Sequence, residues 1–101
     1  MKITEISVSI RDEDKLKAFV NVTFDNCFVV RGLKVIKGAN GYFVSMPSRK
    51  MNDGTYRDIA HPITNSFREE VEKAILDKYK DELVKEGIAP DGDIELSNDH
   101  Y

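Results

Sequence analysis

Six basic side chains, Arg31, Lys34, Lys37, Arg49, Lys50 and Arg57, fall within residues 28–62, where the only acids are Asp53 and Asp58. That segment is positive in a chain whose net charge is −3. Folding needs no such charge separation. A polyanion such as nucleic acid does favour it, because each cation that approaches a phosphate releases condensed counterions. Ser48, Asn52 and Thr55 offer neutral hydrogen-bonding groups in the same stretch, and Tyr42 or Tyr56 could stack on an exposed base. The same cations also suit a second reading, a solvated strand face whose charges block edge-to-edge aggregation.

Other chemistry is poorly supplied. Cys27 and His61 form the one Cys–His combination able to act as nucleophile and base, yet they lie far apart in sequence. His61 with Asp58 starts a metal site and does not complete one. The simpler role for His61-Pro62 is to shape the entry to a helix. Gly38 and Gly41 are too few for a phosphate-cradling loop and precede a strand, not a helix. With a single cysteine the chain can form no intrachain disulfide and no multi-cysteine zinc site. No cofactor or metal is expected.

The chain's 101 residues suit one domain able to bury a core without metal or disulfide. The opening MKITEISVSI lacks the apolar core of a secretory leader. No apolar run approaches the roughly 20 residues of a membrane helix. Both point to a cytoplasmic protein. Charge is unevenly spread. Residues 1–68 hold eleven bases and seven acids, whereas residues 69–99 hold four bases and eleven acids. One basic face follows from that asymmetry.

The elements that must position these groups are readable from periodicity. Ile6, Val8 and Ile10 alternate as a strand, with Ile3 out of phase. Leu16, Ala18, Val20, Val22 and Phe24 form a second period-2 comb, so the two runs predict an antiparallel hairpin. Phe28–Ile36 is a third strand interrupted by Gly32, a signal for a bulge. If the bulge shifts the register, Lys34 leaves the parity that separates it from Arg31 and Lys37. Tyr42–Met46 is a fourth strand ended by Pro47, and Tyr56–Ala60 a short fifth. Ser66 and Glu69 fit a capping box. Phe67, Val71, Ile75, Tyr79 and Leu83 then recur every four residues along one helix, with Glu69, Glu70 and Glu72 in its first turns, Lys85 in its last turn and Gly87 as its stop. Strands followed by one helix predict an α+β domain: an antiparallel sheet of four to five strands and one long C-terminal helix. Residues 1–87 make the domain, and 88–101 an acidic flexible tail. One helix cannot cover both sheet faces, so Phe19 and Phe43 would stay wet unless a second copy covered them, which predicts a homodimer.

The strings VVRGLKVIKG, GYFVSMPSRK and DGTYRDIAHPI, followed by a capped helix, closely resemble the SpoVG family (stage V sporulation protein G). MKITEISVSI and FVNVTFDNCFVV match as well, and the resemblance covers residues 1–83. It implies a small, dimeric, non-enzymatic bacterial regulator of the cytoplasm that binds DNA or RNA and affects septation, sporulation or related gene expression. It assigns nucleic-acid contacts to Arg49, Lys50 and Arg57, and adds Arg68 at the helix start; the basic pattern itself contributes Lys34 and Arg31 on the third strand. The acidic tail departs from the family pattern and is placed to compete with nucleic acid for the basic surface. The alternative is a protein-interaction module that regulates division by docking a protein partner, without direct nucleic-acid binding.

Overall fold

The computed structural model describes residues 1–11, 13–90 and 92–96. Six strands and a helix follow in chain order: β1 (Ile3–Ile10), β2 (Leu16–Phe24), β3 (Phe28–Gly38), β4 (Gly41–Ser45), β5 (Ser48–Lys50), β6 (Tyr56–Asp58) and α1 (Asn65–Glu86). Strands β1 to β4 form one antiparallel meander in sequence order, and β5 with β6 a separate two-stranded ribbon. The domain is the predicted α+β arrangement.

The alternating pattern of β2 explains the sheet's inner face. Ala18, Val20, Val22 and Phe24 are buried, joined by Leu33 and Val35 of β3 and by Tyr42, Val44 and Met46 at and after β4. Three register shifts interrupt the strands: one between Leu16 and Ala18 takes Leu16, opposite Ile36, out of the predicted β2 comb and buries Lys17 instead, and two others keep neighbouring strands in phase. A register shift between Ile3 and Glu5 lets Ile3, out of step with Ile6 by sequence, pack on the same core. Another lies between Val20 and Val22, where Gly32 adopts φ 85° and its amide donates to Asn21 Oδ1 at 3.3 Å. Val30 and Leu33 therefore both face the core although three residues apart. The extra residue is the predicted bulge, and glycine takes it without the Cβ penalty. It puts Lys34 opposite Phe19 on the outer face, while Lys37, opposite the buried Tyr42, falls on the inner side.

The helix packs Val71, Ile75, Leu76, Tyr79 and Leu83 into this face. Phe67 meets Phe24 with ring centroids 5.9 Å apart, and Tyr79 meets Tyr42 at 6.0 Å. Its start differs from the expected capping box. Thr64, not Ser66, is the N-cap: its hydroxyl accepts the Phe67 amide at 3.2 Å, and its backbone is extended. The helix thus begins two residues earlier, its first turn holds no acid, and Glu69 lies too far along to close the reciprocal bond. The C-terminus matches the pattern. Gly87 has φ 67°, and Gly87 and Ile88 donate to the carbonyls of Val84 and Leu83 in a Schellman arrangement.

Part of the acidic segment after the helix lies against the body. The Tyr42 amide donates to the Glu95 carbonyl at 2.8 Å, Leu96 forms a parallel bridge with Tyr42, and Ile94 and Leu96 pack against the core. The period-2 pair Ile94 and Leu96 sends two apolar side chains to one side of an extended chain. Residues 91 and 97–101 of the predicted tail lie outside the described residues.

Candidate nucleic-acid interface

After Pro47 the chain leaves the sheet and folds back on itself. Ser48, Arg49 and Lys50 pair with Asp58, Arg57 and Tyr56. The sequence pattern predicts loop for the first of these strands, because three polar residues after a proline carry no strand periodicity. The connecting turn is fixed locally. Met51 donates to Thr55 O at 2.7 Å, and Asp53 Oδ1 accepts both the Thr55 hydroxyl at 2.6 Å and the Thr55 amide at 3.0 Å. These bonds to the charged form hold the Asp53 carboxyl below its usual range. The ribbon is anchored at its base by the Ile59 amide, which donates to Pro47 O at 2.7 Å.

Register dictates what the ribbon presents. Arg49 stands directly opposite Arg57, so both guanidinium groups leave the same face, with Lys50 and Tyr56 on the other. All six strand residues are exposed. Like charges directly opposite each other destabilise a two-stranded ribbon. Among the described residues no ion pair joins Arg31, Lys34, Arg49, Lys50, Arg57 or Arg68 to a carboxylate.

Beside the ribbon runs a groove of about 710 Å³. Lys34 enters from β3, Arg57 from β6 and Arg68 from the first turns of α1, so three distant stretches bring cations to one cleft. Among the described residues, Asp58 is the one carboxylate on its walls. Phe43 and Tyr56 supply aromatic surface, and Ser45 and Ser48 hydroxyl groups. Three cations, two rings and hydroxyls can meet phosphate, base and sugar respectively.

The six sequence-predicted residues therefore divide. Lys34, Arg57 and Arg68 line the groove. Arg49 and Lys50 project from the same ribbon outside it. Arg31 is exposed in the β3 bulge and does not reach the cleft, because the bulge turns it aside where Gly32 approaches Pro47. Tyr42, one of two candidate stacking residues, is fully buried against Tyr79, which leaves Tyr56 at 68% exposure as the ring available to a base. Nor does the described part of the acidic tail enter the groove, for it seats at the Tyr42 end of β4.

Sequence reasoning missed His61, Phe43 and Ser45 as groove residues. For the last two the signal existed: if Tyr42, Val44 and Met46 point inward, Phe43 and Ser45 must point outward beside Lys34. His61 carried no such signal. Its ring Nδ1 lies 3.0 Å from Pro62 O. Cys27 is an exposed turn residue, and among the described residues no three His, Cys, Asp or Glu side chains converge as a metal site. Among the described residues no helix is long and apolar enough to cross a membrane.

Residues 1–81, which span every strand and most of α1, match the family model described as SpoVG. The chain belongs to the SpoVG family. Similar curated proteins carry the name "Putative septation protein SpoVG". The one from Anaeromyxobacter sp. (strain K) is 51% identical over 90 residues, 89% of each chain. That of Bdellovibrio bacteriovorus is 53% identical over 87 residues, 86% of this chain and 81% of its own length. That of Myxococcus xanthus is 51% identical over 83 residues, 82% of this chain and 84% of its own. The groove and the ribbon lie wholly within the SpoVG match, whereas the docked segment 92–96 lies beyond it.

Proposed function

We propose that this SpoVG-family chain is a non-enzymatic regulator of the cytoplasm that binds DNA or RNA through the β5–β6 ribbon and the groove beside it, and so acts on septation, sporulation or related gene expression. The observation that carries the reading is the convergence of Lys34, Arg57 and Arg68 on one cleft under an exposed, mutually repelling Arg49–Arg57 pair. Folding gains nothing from placing those charges together; a row of phosphates relieves the repulsion. The exposed Tyr56 ring adds a platform that accepts any base.

The same reading includes a homodimer. Phe19 is only half-exposed, because Arg11 lies over its ring at 5.2 Å and Lys34 at 6.0 Å, so that face needs no second copy. The apolar surface left open lies elsewhere, at Phe28 (61% exposed), Ile59 (69%) and Ile63 (91%). There β3 continues past the end of β4, which pairs it only from Lys34 onward. A second copy seated on that surface doubles the basic ribbons available to one nucleic acid.

Fluorescence anisotropy with Arg49→Ala/Lys50→Ala tests the reading. Affinity is expected to fall about 10-fold or more at 0.1 M salt, and the slope of log affinity against log salt to drop by about two, one for each cation removed from a phosphate. Circular dichroism should be unchanged. Intact affinity with an unaltered salt slope overturns it.

A further inference from the structure

The segment after the helix behaves as a ligand of the domain. It lies outside the SpoVG match, yet it finds a seat built entirely within that match. The seat is the free edge of β4 together with the flank of α1. The sheet ends at β4, and the Tyr42 amide points off that edge to reach Glu95 O at 2.8 Å. Ile94 and Leu96 lie against α1 and, with Leu76, Lys73, Lys80, Glu69 and Asp77, line a cleft of about 390 Å³ that stays open beside them. Lys37 reaches the start of the segment: its ammonium lies 3.5 Å from where a Cβ on Gly92 would stand. Lys37 borders the start of the segment and Lys73 and Lys80 its apolar side, and its polar positions, Asp93 and Glu95, are acidic and exposed. Backbone pairing on an open strand edge, with apolar pockets for alternate side chains and charges that choose the sequence, is how β-augmentation sites recognise peptides.

We propose that this edge is a protein-docking site for an extended partner segment of the pattern acid–aliphatic–acid–aliphatic, and that Asp93-Ile94-Glu95-Leu96 is its resident occupant in cis. The hold is light. Ile94 and Leu96 keep part of their surface in water, and the segment pairs through one isolated bridge. Such a local contact opens at a cost well below global unfolding. The tether supplies an effective concentration in the millimolar range, so a partner must bind well enough to displace it. The docking site shares no lining residue with the basic groove, so a protein partner and a nucleic acid can be held together. This inference stands whether or not the groove binds nucleic acid.

The test uses the full chain with Ile94→Asp/Leu96→Asp, which vacates the seat, and a fluorescent peptide with the sequence of residues 90–98. Peptide anisotropy is expected to show at least 10-fold tighter binding to the vacated chain than to the unaltered chain. A peptide carrying the same two aspartates should not bind, and Lys73→Glu/Lys80→Glu in the vacated chain should weaken binding. Absence of binding to a vacated chain whose α1 amides remain protected overturns the proposal. So does a concentration-dependent growth in size that the double variant abolishes, because the occupant would then be the segment of a second copy. If the double variant fails to fold, Leu96→Ala is expected to bind the peptide more tightly than the unaltered chain and to expose the Tyr42 amide to exchange. Unchanged protection of that amide, or equal peptide binding by those two chains, also refutes it.

Discussion

The body of the molecule and its β5–β6 ribbon follow opposite rules. In the body, the strands present apolar residues to one helix, and among the described residues fourteen hydrophobic side chains lie buried together. In the ribbon, three-residue strands are exposed at every position, and two arginines face each other across the register. Isolated two-stranded ribbons are marginal in water even without such repulsion. The body's residues are explained by packing. The ribbon's are not, and the proposed function is what gives their charges a partner. Stability and the proposed function are thus separated in space, and the separation can be attacked from either side.

The largest effect should come from the body. Ile75 is fully buried between α1 and the sheet. Ile75→Ala is expected to cost about 2–5 kcal/mol, by lost transfer energy and by the cavity left behind. Arg57→Ala, on the ribbon, is expected to change stability by less than about 0.5 kcal/mol. Urea denaturation of both variants measures the contrast, and nucleic-acid affinity should reverse it, with Arg57→Ala the weaker binder. A ribbon variant that unfolds the body would show that the two regions are coupled.

A smaller effect is expected where the body meets the loop that leaves the ribbon. Thr64 caps α1 through the Phe67 amide, and Thr64→Ala should cost about 1 kcal/mol. Ser66→Ala, at the position that a sequence-level capping box selects, should cost only a few tenths, since it caps nothing here. A thermal melt of the pair ranks the two hydroxyls directly.

That pair also shows how far the sequence could be read. Periodicity revealed β1 to β4 and the core stripe of α1, because burial on one face imposes a period that few other forces produce. It could not choose between Thr64 and Ser66, since both can cap and tertiary docking of Phe67 on Phe24 decides. It could not see β5, whose residues pair without burying anything. Nor could it see that Arg68 faces Lys34 and Arg57, for that depends on how the helix crosses the sheet. The bulge at Gly32 was legible as a break, but which lysines it would separate was settled only by the register on either side. Isolated charges carry no period, so their convergence had to come from the fold.

The smallest effect concerns the ribbon alone. Asp53 is fully exposed, and the two bonds from Thr55 favour its ionised form. A carboxyl held below its unfolded range contributes order that is fully present above that range. The order is lost as pH falls through the lowered value. Acidification should therefore loosen the 51–55 turn in a window below the usual carboxylate range. The Thr55 amide resonance, followed by NMR from neutral pH downward, is expected to titrate below the midpoint of an ordinary aspartate, and the Ile75 amide not to move with it. In Asp53→Asn, which keeps an acceptor oxygen without the charge, that low-pH step should vanish. A Thr55 amide that titrates at the ordinary midpoint would mean that the turn owes nothing to its charged latch. The ribbon's order would then rest on its backbone bonds, from Met51 to Thr55 and from Ile59 to Pro47.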